Sequence, residues 1–239
     1  MPHSQFISAS TRYLLKLSGE ALQGKKDHGI DVEFLIELAG KVVKLAKSGK
    51  QIVIVIGGGN IFRGVSGAAS GLDRSSADYM GMLATVMNGI ALGDAIHKQG
   101  QEVRIMSAIE INRVSEFFIR GRAMKHLDKN RVVIAVAGSG NPFFTTDSAA
   151  VLRALELGCD VIIKGTKVDG VYDKDPAKFP DAKRYETISL QEALEKNLRV
   201  LDQSALALAK DEKIPLFVCK IEDIDKLGTD KIRGTLLTP

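Results

Sequence analysis

The run Gln51-Ile52-Val53-Ile54-Val55-Ile56 passes directly into Gly57-Gly58-Gly59-Asn60, and no other segment constrains the chain as much. The β-branched residues predict a buried strand. The glycines at its end let backbone amides approach an anion without side-chain obstruction. The same grammar recurs. Residues 12–17 predict a buried strand that breaks at Ser18-Gly19, and 132–137 one that ends at Gly138-Ser139-Gly140-Asn141-Pro142. Residues 103–106, 160–163 and 215–218 predict further strands.

Helical patterns alternate with these strands. Asp31 precedes an amphipathic stretch carrying Phe34, Leu35, Leu38, Val42 and Leu45. Residues 75–98 predict one long helix or two broken ones, and 114–127 another. Thr146 or Asp147 can cap a helix running to Leu157. Ser189, with Glu192 in capping-box position, starts one more, and 202–210 the last. Residues 174–185 predict a surface loop. Repeated strand–helix–strand units predict an α/β fold: a three-layer α/β/α sandwich with a mainly parallel central sheet. Residues 1–11 are expected to form a flexible N-terminal extension, and 12–239 a single catalytic domain.

Bulk properties narrow the function. No apolar run is long enough to cross a bilayer, and residues 1–10 lack the pattern of a secretory signal, so the expected location is cytoplasmic. Two cysteines, Cys159 and Cys219, cannot build a disulfide framework and read as structural thiols. The net charge of +4 comes with scattered lysines and no tryptophan. Basic patches interleaved with aromatic platforms are absent, so small anionic ligands are expected, with no stable nucleic-acid or membrane partner.

Two familiar phosphate motifs are excluded. Gly19 to Lys26 imitates a P-loop until its last position, where Lys26 replaces the Ser or Thr that would hold Mg²⁺. The triple glycine lacks the third glycine of a dinucleotide fingerprint. Phosphate chemistry is instead spread over several strand ends. Lys16 can gather charge on phosphoryl oxygens, with Ser18 and Gly19 as nearby donors. Arg63 can add a forked contact. Phe143 and Phe144 can wall a pocket, and Thr145 and Thr146 can bond phosphate or base. Asp147 can cap its helix, orient an active-site lysine or take part in metal-linked positioning. After the strand at 160–163, Lys164, Thr166, Tyr172 and Asp175 can hold a nucleotide, though Asp169-Gly170 and Asp175-Pro176 also read as plain surface turns.

Together KLSGEAL at 16–22, IGGGNIFRG at 56–64, MGMLATVMNG at 80–89, GNPFFTTDSAA at 140–150 and TKVDGVY at 166–172 closely resemble the bacterial uridylate kinases of the amino-acid-kinase superfamily. The resemblance implies phosphoryl transfer from Mg-ATP to UMP, feeding UTP and CTP synthesis, in a homohexamer. It implies that UMP is held by Gly58, by Asp78 on the ribose, and by Ser139, Gly140, Asn141, Pro142, Phe143, Phe144, Thr145 and Thr146. ATP would be held by Lys16, Leu17, Ser18, Gly19, Gly59, Thr166, Tyr172 and Asp175, with Arg63 reaching phosphate. The catalytic set is Lys16, Arg63, Asp147 and Lys164; no residue is assigned to Mg²⁺, which the nucleotide phosphates carry. Members respond to GTP as activator and UTP as inhibitor. His97, Arg104 and Arg131 match effector positions, but Gly93 stands where members often carry arginine. Another small-molecule kinase of the superfamily, acting on a carboxylate, remains an alternative, as do CMP preference and a catalytically silent nucleotide-binding sensor or storage protein.

Overall fold

Along the central strands, side chains alternate between two cores. In β1 (Arg12–Leu17), Tyr13, Leu15 and Leu17 enter one core and Leu14 the other; in β2 (Gln51–Ile56), Ile52, Ile54 and Ile56 oppose Val53 and Val55. A period of two with apolar residues on both faces requires a helical layer on each side. The first core is covered by α2 (Val32–Lys47) and α3 (Arg74–Lys98). The second is covered by α4 (Arg120–Leu127), α5 (Thr146–Glu156), α6 (Leu190–Glu195) and α7 (Gln203–Asp211). Each fully buried aliphatic side chain contributes roughly 1.5–3 kcal/mol by leaving water. This computed structural model describes residues 3–63, 71–198 and 200–239. Gly64 of the IGGGNIFRG motif, and residues 1–2 of the N-terminal segment, lie outside the described residues.

The remaining strands are β3 (Val103–Ser107), β4 (Glu116–Phe117), β5 (Val132–Val136), β6 (Val161–Thr166), β7 (Thr187–Ser189), β8 (Leu216–Lys220) and β9 (Gly234–Thr238). All nine form one sheet in the order β4-β3-β5-β2-β1-β6-β8-β9-β7. Every pairing is parallel except β8 with β9. The α/β sandwich read from the sequence is therefore the observed fold, with β1 and β2 near its centre.

Several local expectations need correction. The helix predicted over 114–127 exists only from Arg120. Upstream, Glu116–Phe117 pairs with β3, and the Phe118 N–H donates to the Ser107 carbonyl at 2.8 Å. Phe117 and Phe118 suit a sheet edge better than a helix, and Phe118 lies under the Arg153 guanidinium, 4.0 Å from its ring centre. Residues 3–9 form a helix, α1 (His3–Ala9), rather than a loose extension: Ile7 is fully buried in the first core, and its carbonyl accepts the Tyr13 hydroxyl at 2.5 Å. Residues 75–98 fall in one unbroken helix, started by the Asp73 carboxylate, which accepts the Ser76 N–H. By length and mean hydropathy, α3 alone among the described helices could cross a bilayer, yet 56% of its most apolar window is buried inside the protein. Cys159 and Cys219 are both buried, and that burial pushes each thiol up to about 12.

Candidate active site

Strand register brings the two candidate lysines together. Lys16 on β1 sits opposite Lys164 on β6, and both share the sheet face of Leu14 and Ile162. On that face α5 presents its first turn. Thr145, not Thr146 or Asp147, caps this helix, accepting the N–H groups of Asp147 and Ser148 at 3.0 and 3.2 Å. Relieved of capping, the Asp147 carboxylate turns to the sheet. Lys16 Nζ forms an ion pair with its Oδ1, and Lys164 Nζ lies 3.4 Å from its Oδ2. Lys164 also donates to the Val200 carbonyl.

Burial and neighbouring charge act together on two groups of this largely dry site, Asp147 and Lys164. Burial alone would raise the Asp147 carboxyl, but the charges of Lys16 and Lys164 and hydrogen bonds from Lys16 and the Asp202 N–H outweigh it, holding it below the usual carboxylate range. Burial, then the charge of Lys16, brings Lys164 below the usual lysine range, with Asp147 opposing the shift. The arrangement keeps two positive groups side by side, which neither strand could do without the carboxylate.

Glycine packing fixes the backbone around this cluster. The Gly57 N–H donates to the Leu17 carbonyl at 2.9 Å, so the ends of β1 and β2 run as a pair into their loops. A Cβ on Gly19 would meet the Asn60 side-chain oxygen and the Gly57 carbonyl, both at 2.6 Å, and the Gly59 nitrogen at 2.8 Å. Gly19→Ala is therefore expected to destabilise the fold by roughly 1–3 kcal/mol through overpacking and to depress turnover. Thermal unfolding beside an activity assay checks both effects.

Two clefts adjoin the charge cluster: Thr146, the neighbour of Asp147, lines the first and Lys164 the second, while Lys16 and Asp147 themselves line neither. The first, about 230 Å³, gathers Gly58, Gly59, Arg63, Asp78, the glycine loop and the 138–146 loop. It includes Ser139, Asn141, Phe144, Thr145 and Thr146 but not Gly140, Pro142 or Phe143. The Phe143 ring is largely exposed, while its N–H donates to Asp78 Oδ2 at 2.8 Å. The second, about 560 Å³, is lined by Lys164, Thr166, Tyr172 and Asp175, the last three placed by local bonds. Thr166 closes a turn onto the Val168 carbonyl, the Tyr172 hydroxyl donates to Asp169 at 2.6 Å, and Asp175 accepts the Ala177 N–H. Gly59 and Arg63, expected on the ATP side, line the first cleft instead of the second.

The chain matches the amino acid kinase family over residues 11–220. It is 57% identical over 205 residues to a uridylate kinase of Xanthomonas campestris pv. campestris, covering 86% of this chain and 85% of that protein. The chain belongs to the amino acid kinase family, among its uridylate kinases. A uridylate kinase of Erythrobacter litoralis is 55% identical, covering 91% of each chain. The crystal structure of UMP kinase from Bacillus anthracis superposes with a TM-score of 0.91 at 36% identity, covering 96% of each chain.

In this family member, sequence reasoning missed three partners of the expected residues. Arg63 is ion-paired with Glu20. Arg74 Nε sits 3.0 and 2.9 Å from the two Asp78 oxygens; their i,i+4 spacing on one helix was the available signal. Asp202 accepts the Thr145 hydroxyl and the Ala205 N–H, tying α5 to α7. Of the effector candidates, Arg104 and Arg131 are joined through a chain. Arg104 pairs with Glu116, Glu116 with His126, and His126 Nδ1 lies 3.3 Å from Arg131, which also pairs with Glu102. His97 is exposed at the last turn of α3, and among the described residues no bond joins it to that chain.

Proposed function

We infer that the protein transfers the γ-phosphoryl group of ATP to UMP, giving UDP and ADP. One observation carries the chemistry: Lys16 and Lys164, in register on adjacent strands, share Asp147 beside both clefts. Lys164 lines the second cleft and Thr146, next to Asp147, the first. A phosphate of UMP is already a nucleophile, so the reaction needs no strong general base. It needs two phosphates aligned and the charge on the moving phosphoryl group offset. Lys16 and Lys164 supply that charge and Asp147 holds their spacing; Arg63 exchanges Glu20 for phosphate. UMP takes the cleft of Gly58, Asp78 and the 139–146 loop, with Asp78 on the ribose. ATP reaches from Ser18-Gly19 to Thr166, Tyr172 and Asp175.

Mg²⁺ enters on the ATP phosphates. Among the described residues no cluster of three or more His, Cys, Asp or Glu side chains could hold a metal, and Asp147 is committed to its lysines. Mg²⁺ keeps its waters and binds chiefly through substrate phosphates. Purified protein should form ADP from ATP when UMP and Mg²⁺ are present, and lose that activity with excess chelator. Absence of UMP-dependent ADP would refute the assignment.

The reading extends to a cytoplasmic homohexamer in pyrimidine nucleotide synthesis. Support for self-association comes from α3, whose outer face exposes Tyr79, Met80, Leu83, Met87 and Ile90 by 38–55% each. Such a contiguous apolar stripe marks an interaction surface. The double variant Leu83→Glu, Met87→Glu should sediment as a smaller species than the wild type. For GTP and UTP as effectors, Arg104 and Arg131 supply anion-binding groups that are already ion-paired. Gly93 faces β3, where a Cβ would come within 3.0 Å of Ile105 Cδ1; activation by GTP is accordingly expected to be weak.

A further inference from the structure

We propose that Thr85 is a positioning residue for the phosphoryl acceptor, acting through the backbone at the root of the 138–146 loop. Thr85 sits in the middle of α3 and is 4% exposed. Its hydroxyl donates to the Met82 carbonyl at 2.7 Å and accepts the Ala137 N–H at 2.7 Å. The hydroxyl's one proton is therefore committed within the protein, and so is one lone pair.

What it holds is an unfavourable turn. Ala137 and Gly138 are consecutive residues with φ of 60° and 58°, where β5 gives way to the loop. Glycine takes that conformation freely, whereas alanine does so only when its surroundings impose it. The Thr85 hydroxyl is the group bonded to the Ala137 N–H, so it fixes the direction in which the loop leaves the sheet. The same helix holds the loop a second time, two turns earlier, where Asp78 accepts the Phe143 N–H at 2.8 Å. It also holds the opposite wall. Asn88, one turn after Thr85 and fully buried, donates to the Gly57 carbonyl at 2.7 Å and exchanges amide bonds with Asn60 at 2.7 and 3.0 Å. One helix thus bonds both walls of the acceptor cleft, and Thr85 is its attachment at the root of the wall formed by residues 138–146.

This inference rests on the assignment of UMP to that cleft. Its test is steady-state kinetics of Thr85→Val and Thr85→Ser with both substrates varied. Valine keeps the shape and removes the hydroxyl, leaving the buried Ala137 N–H without its partner, a change that should raise the KM for UMP about tenfold. The KM for ATP should stay within about twofold, because no ATP-side residue is bonded to Thr85, and Thr85→Ser should restore the KM for UMP. Parallel changes in both KM values, or an unchanged KM for UMP in a folded Thr85→Val protein, would overturn the proposal. If Thr85→Val does not fold, Thr85→Ser with its hydroxyl retained but its methyl lost carries the test: a UMP-selective defect in it as large as tenfold would equally overturn the hydroxyl's role. Wild-type turnover of UMP is measured alongside; its absence removes the assignment and the proposal together, whereas a failure confined to the variants removes only the proposal.

Discussion

Lys16→Met should lower kcat by about two to three orders of magnitude, the loss found when one preorganised donor to a developing charge is removed. Lys16 lies at the carboxyl end of β1, beside the glycine turn, with its ammonium ion-paired to Asp147 and only 10% of its side chain exposed. Water cannot readily replace a charge in so dry a position. Because the charge acts chiefly on the moving phosphoryl group, kcat should fall far more than the KM for UMP rises. The fold should survive, since methionine fills much of the lysine's volume and Lys164 still faces Asp147. Steady-state ADP formation, paired with thermal unfolding, reads the two quantities separately. An equal rise in KM without loss of kcat would show that Lys16 only binds substrate.

Asp147→Asn should have the second largest effect, on both turnover and stability. It keeps the side chain's shape and removes the charge that lets Lys16 and Lys164 stand on neighbouring strands. Lys164 is already held below the usual lysine range by burial and by Lys16, with Asp147 as the opposing influence. Without the carboxylate its pKa falls further, so the alkaline limb of the kcat profile should move to lower pH. Breaking a buried charge arrangement costs roughly 3 kcal/mol or more. The pH dependence of that loss has a fixed sign. The Asp147 carboxyl sits below its usual value in the folded protein, so its stabilisation is complete above the unfolded carboxylate pKa of about 4. It fades as pH falls through the lower folded value. The difference in unfolding free energy between wild type and Asp147→Asn should accordingly be large at neutral pH and shrink in acid.

The parts of this site that were legible in the sequence are those written in local pattern. A β-branched run ending in three glycines, and Lys16 ahead of Ser18-Gly19, announce strands that deliver backbone donors to one edge of a sheet. What local pattern could not decide was how those edges meet. Asp147 looked equally suited to capping, and only Thr145, seated against Asp202 at the start of α7, settles that it is free for the lysines. The side-by-side placement of Lys16 and Lys164 depends on strand register between segments nearly 150 residues apart. The helix expected over 114–127 failed for a related reason: its amino-terminal half finds hydrogen-bond partners on β3, which no window of sequence can see. Thr85 and Asn88 read as ordinary residues of a helix because their partners, Ala137 and Gly57, lie on other strands' ends. Strand β7 escaped because it is only three residues long, and both β7 and β9 lie toward one edge of the sheet.

The central claim is that a lysine pair spaced by one carboxylate moves phosphate onto UMP. Its most direct test is kcat/KM for the purified protein with Mg-ATP across UMP, CMP, AMP, GMP and the carboxylate acceptors acetylglutamate and aspartate. The account predicts UDP and ADP in equal amounts from UMP, with UMP the preferred acceptor. Faster transfer to a carboxylate, or tight binding of UMP and ATP with no ADP formed, would contradict it.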